Sequence, residues 1–358
     1  MSEQSSTKKD TIDTISELLQ LSGCQYRIYD LGRKVSKMSK QDFEKVEHAM
    51  QPYPFPIQGH AMFALVFWQK AQTTPYIWFV KLPLDERGLL NQGSRNHYLA
   101  IILDALGKDL TQDPSEKQEE LLQANPYNFT PSQYKLASLN AVVKRDLKQS
   151  ASQYYEHCQL YMSGKLGFAE WQGVAIQGIC DFAARINDNN NSQLLINALE
   201  KLPSEVITPL CSALENQQFD IHLLQAFIEQ ASNELDRSEV NVQRLADLLR
   251  AVSDHSQHPQ VIALAQRILA ANVSNDLNLL LTFTGKAWGL LADNERLLQY
   301  LENVSSHLEQ DVFSSVFQDL VAIPTIRPYV LQCLRSPQRS DNLANSIGAI
   351  FAAVQNKK

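Results

Sequence analysis

Apolar positions mix strand and helix periods up to about residue 110 and keep a helical period beyond it. Thr11 to Leu21 places Ile12, Ile15, Leu18 and Leu19 at steps of three and four, which predicts an amphipathic helix closed by Gly23. Gln25 to Asp30 alternates, Tyr26 and Ile28 against Arg27 and Tyr29, and predicts a strand. Ser39 stands three residues before Asp42 as an N-cap for a short helix through Phe43, Val46 and Met50, which Pro52, Pro54 and Pro56 stop. Met62–Trp68 and Tyr76–Val80 are rich in aromatic and β-branched residues and predict an antiparallel hairpin, with Trp68 and Trp78 placed to face each other. The first of these runs is apolar at nearly every position, as a central strand would be. Pro83 ends the second, Asp85-Glu86-Arg87-Gly88 makes a charged turn, and a helix from about Arg95 to Leu106 closes at Gly107.

From Pro114 onward no strand is predicted. Helices are expected at Glu116–Gln123, Pro131–Lys148 and Ala151–Tyr161, the last pair open to being continuous. A regular series follows: Glu170–Ile186, Ser192–Lys201, Ser204–Glu215, Ile221–Leu235, Val240–Val252 and Pro259–Ala271. It continues through Leu277–Leu291, Glu295–Leu308, Gln310–Val321, Ile326–Leu334 and Asn342–Val354, with Pro203, Asp220, Asp276 and Asp293 among the residues placed to start helices. Starts recur every 14 to 19 residues or so, and two helices fill roughly 35, near the period of helical solenoids. The expected architecture is an α+β module at residues 11–110, connecting helices at 111–164, and an all-α helical-repeat domain resembling HEAT or armadillo arrays at 165–358. A loose tail, residues 1–10, precedes them, and the last four residues are expected to fray.

Composition narrows the function classes. Apolar residues make up 44% and charged residues 20% of 358, enough to bury a core. Cys24, Cys158, Cys180, Cys211 and Cys333 are odd in number and form no C-x-x-C pair, so they read as reduced, mostly buried side chains of a cytoplasmic protein. No apolar stretch follows Met1 to act as a secretory leader, and Ala61–Trp68 is too short to span a bilayer. Lys and Arg balance Asp and Glu over residues 1–164, so the whole formal charge of −7 falls on 165–358. An acidic second half argues against nucleic-acid or anionic-membrane binding there and suits a basic partner.

Motif chemistry is sparse. Glycine is scarce, and no phosphate-binding loop, nucleophile elbow or H-E-x-x-H occurs. His255 and His258 precede Pro259 in an inter-helix stretch and read as solvated loop histidines, and Lys144, Arg145 and Lys148 as a solvated helix face. Neither a metal nor a cofactor is expected. The best binding candidates are charged groups at strand ends: Asp30, Arg33 and Lys34 after the first strand, Lys81, Asp85, Glu86 and Arg87 after the last. If the two ends meet, a carboxylate–arginine constellation forms; otherwise these are ordinary surface ion pairs.

Tyr29-Asp30-Leu31-Gly32-Arg33-Lys34-Val35-Ser36 and Ile77-Trp78-Phe79-Val80-Lys81-Leu82-Pro83-Leu84-Asp85 resemble a bacterial family, domain of unknown function 3549, over nearly the whole chain. The resemblance implies a proteobacterial cytosolic protein and supplies no activity, cofactor or catalytic residue. Two functions are then expected from the architecture. One is a protein-binding scaffold or adaptor, its helices presenting the surface. The other is a small-molecule or enzymatic module in residues 11–110, lined by Asp30, Arg33, Asp85 and Arg87, with the helices as lid or oligomerisation element.

Overall fold

The computed structural model describes residues 12–69, 74–107, 109–111 and 115–355, apart from the side chain of residue 354. The predicted loose N-terminal tail and the last three residues of the predicted fraying end lie outside them. The chain divides into two compact units: residues 1–32 with 36–130, and residues 33–35 with 131–358.

The first unit holds α1 (Ile15–Leu21), β1 (Gln25–Asp30), β2 (Ser36–Met38), α2 (Lys40–Glu47), β3 (His60–Trp68), β4 (Tyr76–Pro83), α3 (Gln92–Leu106) and α4 (Glu116–Gln123). Its four strands form one antiparallel sheet in the order β2-β1-β3-β4. β3 sits between β1 and β4, the place its unbroken apolar run requires. Ala61, Phe63, Leu65 and Phe67 join Ile15, Leu18, Phe43 and Val46 of α1 and α2 in one buried core. Ala64 and Val66, on the opposite face by the period of two, are buried as well. Trp78 lies opposite Leu65, not Trp68, and packs edge-on to Phe67 at 4.7 Å. The hairpin register places Trp68 beyond the last β4 partner and opposite Gln25 of β1. β2, three residues long, has too few positions to show an alternation and was not predicted.

Thr14 caps α1 with a capping box, and Ser39 caps α2 by accepting from Asp42 N–H. Glu47, at the end of α2, is fully buried and reaches back to α1: its carboxylate accepts from Ile15 N–H at 2.6 Å and from the Ser16 hydroxyl at 2.5 Å.

The second unit holds α5 (Gln133–Asp146), α6 (Tyr155–Met162), α7 (Ile176–Ala184), α8 (Asn191–Ala198), α9 (Ser204–Leu214), α10 (Ile221–Leu235) and α11 (Val242–Ala251). It continues with α12 (Pro259–Ala270), α13 (Leu277–Gly285), α14 (Asn294–His307), α15 (Gln310–Ala322), α16 (Arg327–Cys333) and α17 (Asp341–Gln355). α5 and α6 are separate helices, because Lys148 takes a positive φ of 57° between them. Each helix packs on the next but one. α5, α7, α9, α11, α13, α15 and α17 touch in succession, as do α6, α8, α10, α12, α14 and α16. Starts in the second of these rows fall 30 to 38 residues apart. No helix among the described residues is long and apolar enough to cross a membrane.

All five cysteines are free and buried, and burial raises the Cys158 thiol to about 12 and the Cys180 thiol to about 11. Thiols held protonated in this way are poor nucleophiles.

Candidate functional site

A helix ends with carbonyl groups that have no partner in the helix, and cations gather there by charge as well as by hydrogen bonding. The first row of the second unit uses this at several of its C-termini. Arg145, from the end of α5, donates to Ala184 C=O at the end of α7 and to the Gln217 side chain, both through Nη1. Arg145 is therefore a brace between elements and not part of a solvated face. Arg33 donates through Nη1 to Thr284 C=O near the end of α13, at 3.2 Å.

Arg33, Lys34 and Val35 cluster with this unit, and each is held by it. The Arg33 guanidinium, 2% exposed, also reaches Asp319 of α15 through Nη2 at 2.7 Å. Lys34 pairs with Asp254 at 2.6 Å. Both cations lie over the ring of Trp288, at 5.4 and 5.3 Å from its centroid. The main chain is held too: Val35 N–H donates to Asn216 Oδ1 at 2.7 Å, and Arg33 C=O accepts from Lys286 Nζ at 3.0 Å. A basic tripeptide is thus gripped by its side chains and by its backbone.

Beside it stands an ion cluster. Glu215, the C-cap residue of α9, is buried and accepts from Arg250 Nε of α11 and from Lys286 Nζ, the latter at 2.8 Å. Lys286 is the C-cap residue of α13, and its pKa is lowered chiefly by burial; Glu215 opposes that shift, while Arg250 and Lys34 add to it.

The predicted site residues are dispersed. Asp30 ends β1 fully buried in the first unit, where it accepts from the Tyr53 hydroxyl and from Gly32 N–H. Burial, with Asp30 next, raises the Tyr53 pKa well above the usual tyrosine value. Lys81 lies on β4 opposite Met62, its N–H donating to Tyr127 C=O. The ends of β1 and β4 point the same way, but β3 lies between them, roughly two strand spacings or about 10 Å across. Asp85 accepts from the N–H groups of Arg87 and Leu89 and pairs with the exposed Arg87 side chain at 3.1 Å, ordering the turn after β4. Those turn bonds, led by that from Leu89, lower the Asp85 pKa. Of the predicted residues, Arg33 and Lys34 belong to the seat on the helical unit.

Sequence reasoning missed Glu215, Asn216, Asp254, Lys286 and Asp319, which stand far apart in the chain and carry no motif. Trp288, which lies under Arg33 and Lys34, carries no sequence signal for them either. His255 and His258 are half-buried and not solvated: His255 packs against Phe219 at 4.4 Å, and His255 Nε2 and His258 Nδ1 are buried without a hydrogen-bond partner among the described residues. Burial is the main cause that lowers the His255 pKa. No group of three or more metal-capable side chains occurs among the described residues.

A family model described as "Protein of unknown function (DUF3549)" matches residues 10–351. No curated protein and no solved structure matches the chain.

Proposed function

The chain belongs to the DUF3549 family, and we propose that it is a helical-repeat scaffold that binds another protein through its second unit. The observation that carries this reading is the alternate packing of α5 through α17, in which each helix rests on its second neighbour. Pairs of helices recurring at about 35 residues and stacked in two rows have the local contacts of a solenoid, and such stacks grow long surfaces instead of closing on a central core. Surfaces of that kind are used to hold other macromolecules. The grip on Arg33-Lys34-Val35, through backbone and side chains together, is the manner in which peptide segments are recognised. The formal charge of −7 on residues 165–358 selects a basic partner over an acidic one. Leu277 and Leu281 stand one turn apart on α13, both exposed, as an apolar contact within that acidic field. This reading assigns no catalytic residue.

The test is recovery of the tagged full-length chain from native cells after cross-linking, beside a variant carrying Leu277→Glu and Leu281→Glu. A partner enriched over the tag alone, cross-linked to residues 165–358 and reduced by the double substitution, is the expected result. Recovery of both forms with nothing enriched would end the scaffold reading.

A further inference from the structure

Within the second unit a pocket of about 300 Å³ opens beside the ion cluster, between α5, α9, α11 and the end of α13. That volume is at the lower bound of pockets that hold small organic ligands. Three cations line it, Lys135, Arg250 and Lys286, against one carboxylate, Glu215. Such an excess is unexpected in the half of the chain that carries the whole formal charge of −7. Asp247 lies one step behind the wall, where it accepts from the Thr208 hydroxyl, and still leaves the lining net positive.

Arg250 and Lys286 keep unspent donors. Arg250 engages Glu215 through Nε, and its two terminal amino groups make no hydrogen bond to the described residues. Lys286 spends two of its three N–H donors, on Glu215 and on Arg33 C=O. The Ser212 hydroxyl, also in the lining, has no partner among the described residues. Tyr134 and Pro209 give the pocket an apolar side. Two cations share a single buried carboxylate, and the lowered pKa of Lys286 records that Glu215 compensates for less than its burial and its cationic neighbours take away. A second anion within reach of Arg250 and Lys286 would supply the rest. A guanidinium fork with both terminal amino groups unspent matches the planar edge of a carboxylate or two oxygens of a phosphate.

We propose that this pocket binds a small organic anion, its phosphate or carboxylate head group taken by Arg250 and Lys286 in the positive field to which Lys135 adds, and its body lying against Tyr134 and Pro209. The site is independent of protein binding by the helices and gives the second unit a small-molecule input.

The experiment is calorimetric titration of the full-length protein with inorganic phosphate and, separately, with malonate, ionic strength held constant with sodium chloride. Two variants are titrated alongside after circular dichroism has established that they are folded. Lys135→Glu reverses one cation on the partly exposed wall and leaves Glu215 its two partners; Ser212→Phe fills the space. Saturable binding of one anion per chain is expected, weakened at least tenfold by Lys135→Glu and lost in Ser212→Phe. Phosphate alone, or malonate alone, identifies the head group. The proposal is overturned if neither anion gives saturable heat, or if Lys135→Glu binds as the wild type does. Should Ser212→Phe fail to fold, Lys135→Glu alone decides.

Discussion

Glu47 keeps a carboxylate out of water by spending its oxygens on the first turn of α1, Ile15 N–H, Ser16 N–H and the Ser16 hydroxyl. These donors favour the charged form, but burial outweighs them and raises the carboxyl from its usual 4.5 to about 7. A folded-state pKa above the unfolded one means that the native protein holds the proton longer. The stabilisation is therefore complete below about pH 4.5 and is lost as pH rises through about 7. The shift is worth on the order of 3 kcal/mol. In Glu47→Gln, urea unfolding from pH 4.5 to 8 should show a stability curve flatter than that of the wild type by about this amount. Equal slopes in the two proteins would refute the assignment. Gly32 is constrained by space: a Cβ there would stand 2.5 Å from Phe55 C=O. Gly32→Ala should cost about 1–3 kcal/mol by thermal unfolding, with Gly285→Ala, where no neighbour lies within 4 Å, as the control.

At the scale of elements, apolar stripes made the helices legible and left their ends uncertain. Leu277–Leu291 reads as one helix because Leu279, Leu280, Phe283, Leu290 and Leu291 keep the stripe going. In the structure α13 stops at Gly285 and a 3-10 turn, Trp288–Leu291, follows. That break places Lys286 at a helix C-terminus and Trp288 beneath two cations, so reading through it hid the site. The strand β1 was legible to the residue, although burial alternates only from Gln25 to Ile28 and Tyr29 and Asp30 are buried as well, and Arg33 was picked out by its charge at a strand end. Its partners Asp319 and Thr284 could not be, because no local pattern records a contact across more than 250 residues. The ion cluster makes a graded prediction. Glu215→Ala leaves two half-buried cations facing each other and should cost about 3 kcal/mol. Lys286→Met leaves Glu215 its Arg250 partner and should cost distinctly less by the same denaturant titration. The reverse order would show that Lys286 matters chiefly through its bond to Arg33 C=O.

At the scale of the whole molecule, the two rows of the second unit allow a repeat array to be told apart from a bundle with one core. In an array each helix pair is stabilised by its own packing and that of its neighbours, so damage spreads to adjacent repeats and fades with distance. In a bundle it lowers the protection of every helix together. α17 is the place to ask. It packs chiefly on α14 and α15, whereas α7 has α5, α6 and α9 around it. Native-state hydrogen exchange should therefore be fastest in α16 and α17 and slowest near the middle of the rows. Leu343 of α17 is fully buried, and Leu343→Ala removes about 2–5 kcal/mol of packing at that end. Exchange read by mass spectrometry should then rise across α14 to α17 and stay unchanged from α7 to α11. The matching substitution Phe227→Ala in α10, also fully buried, should raise exchange on both sides of it. A uniform rise along the unit from Leu343→Ala would mean a single cooperative core, and the long binding surface assigned to the helices would lose its basis.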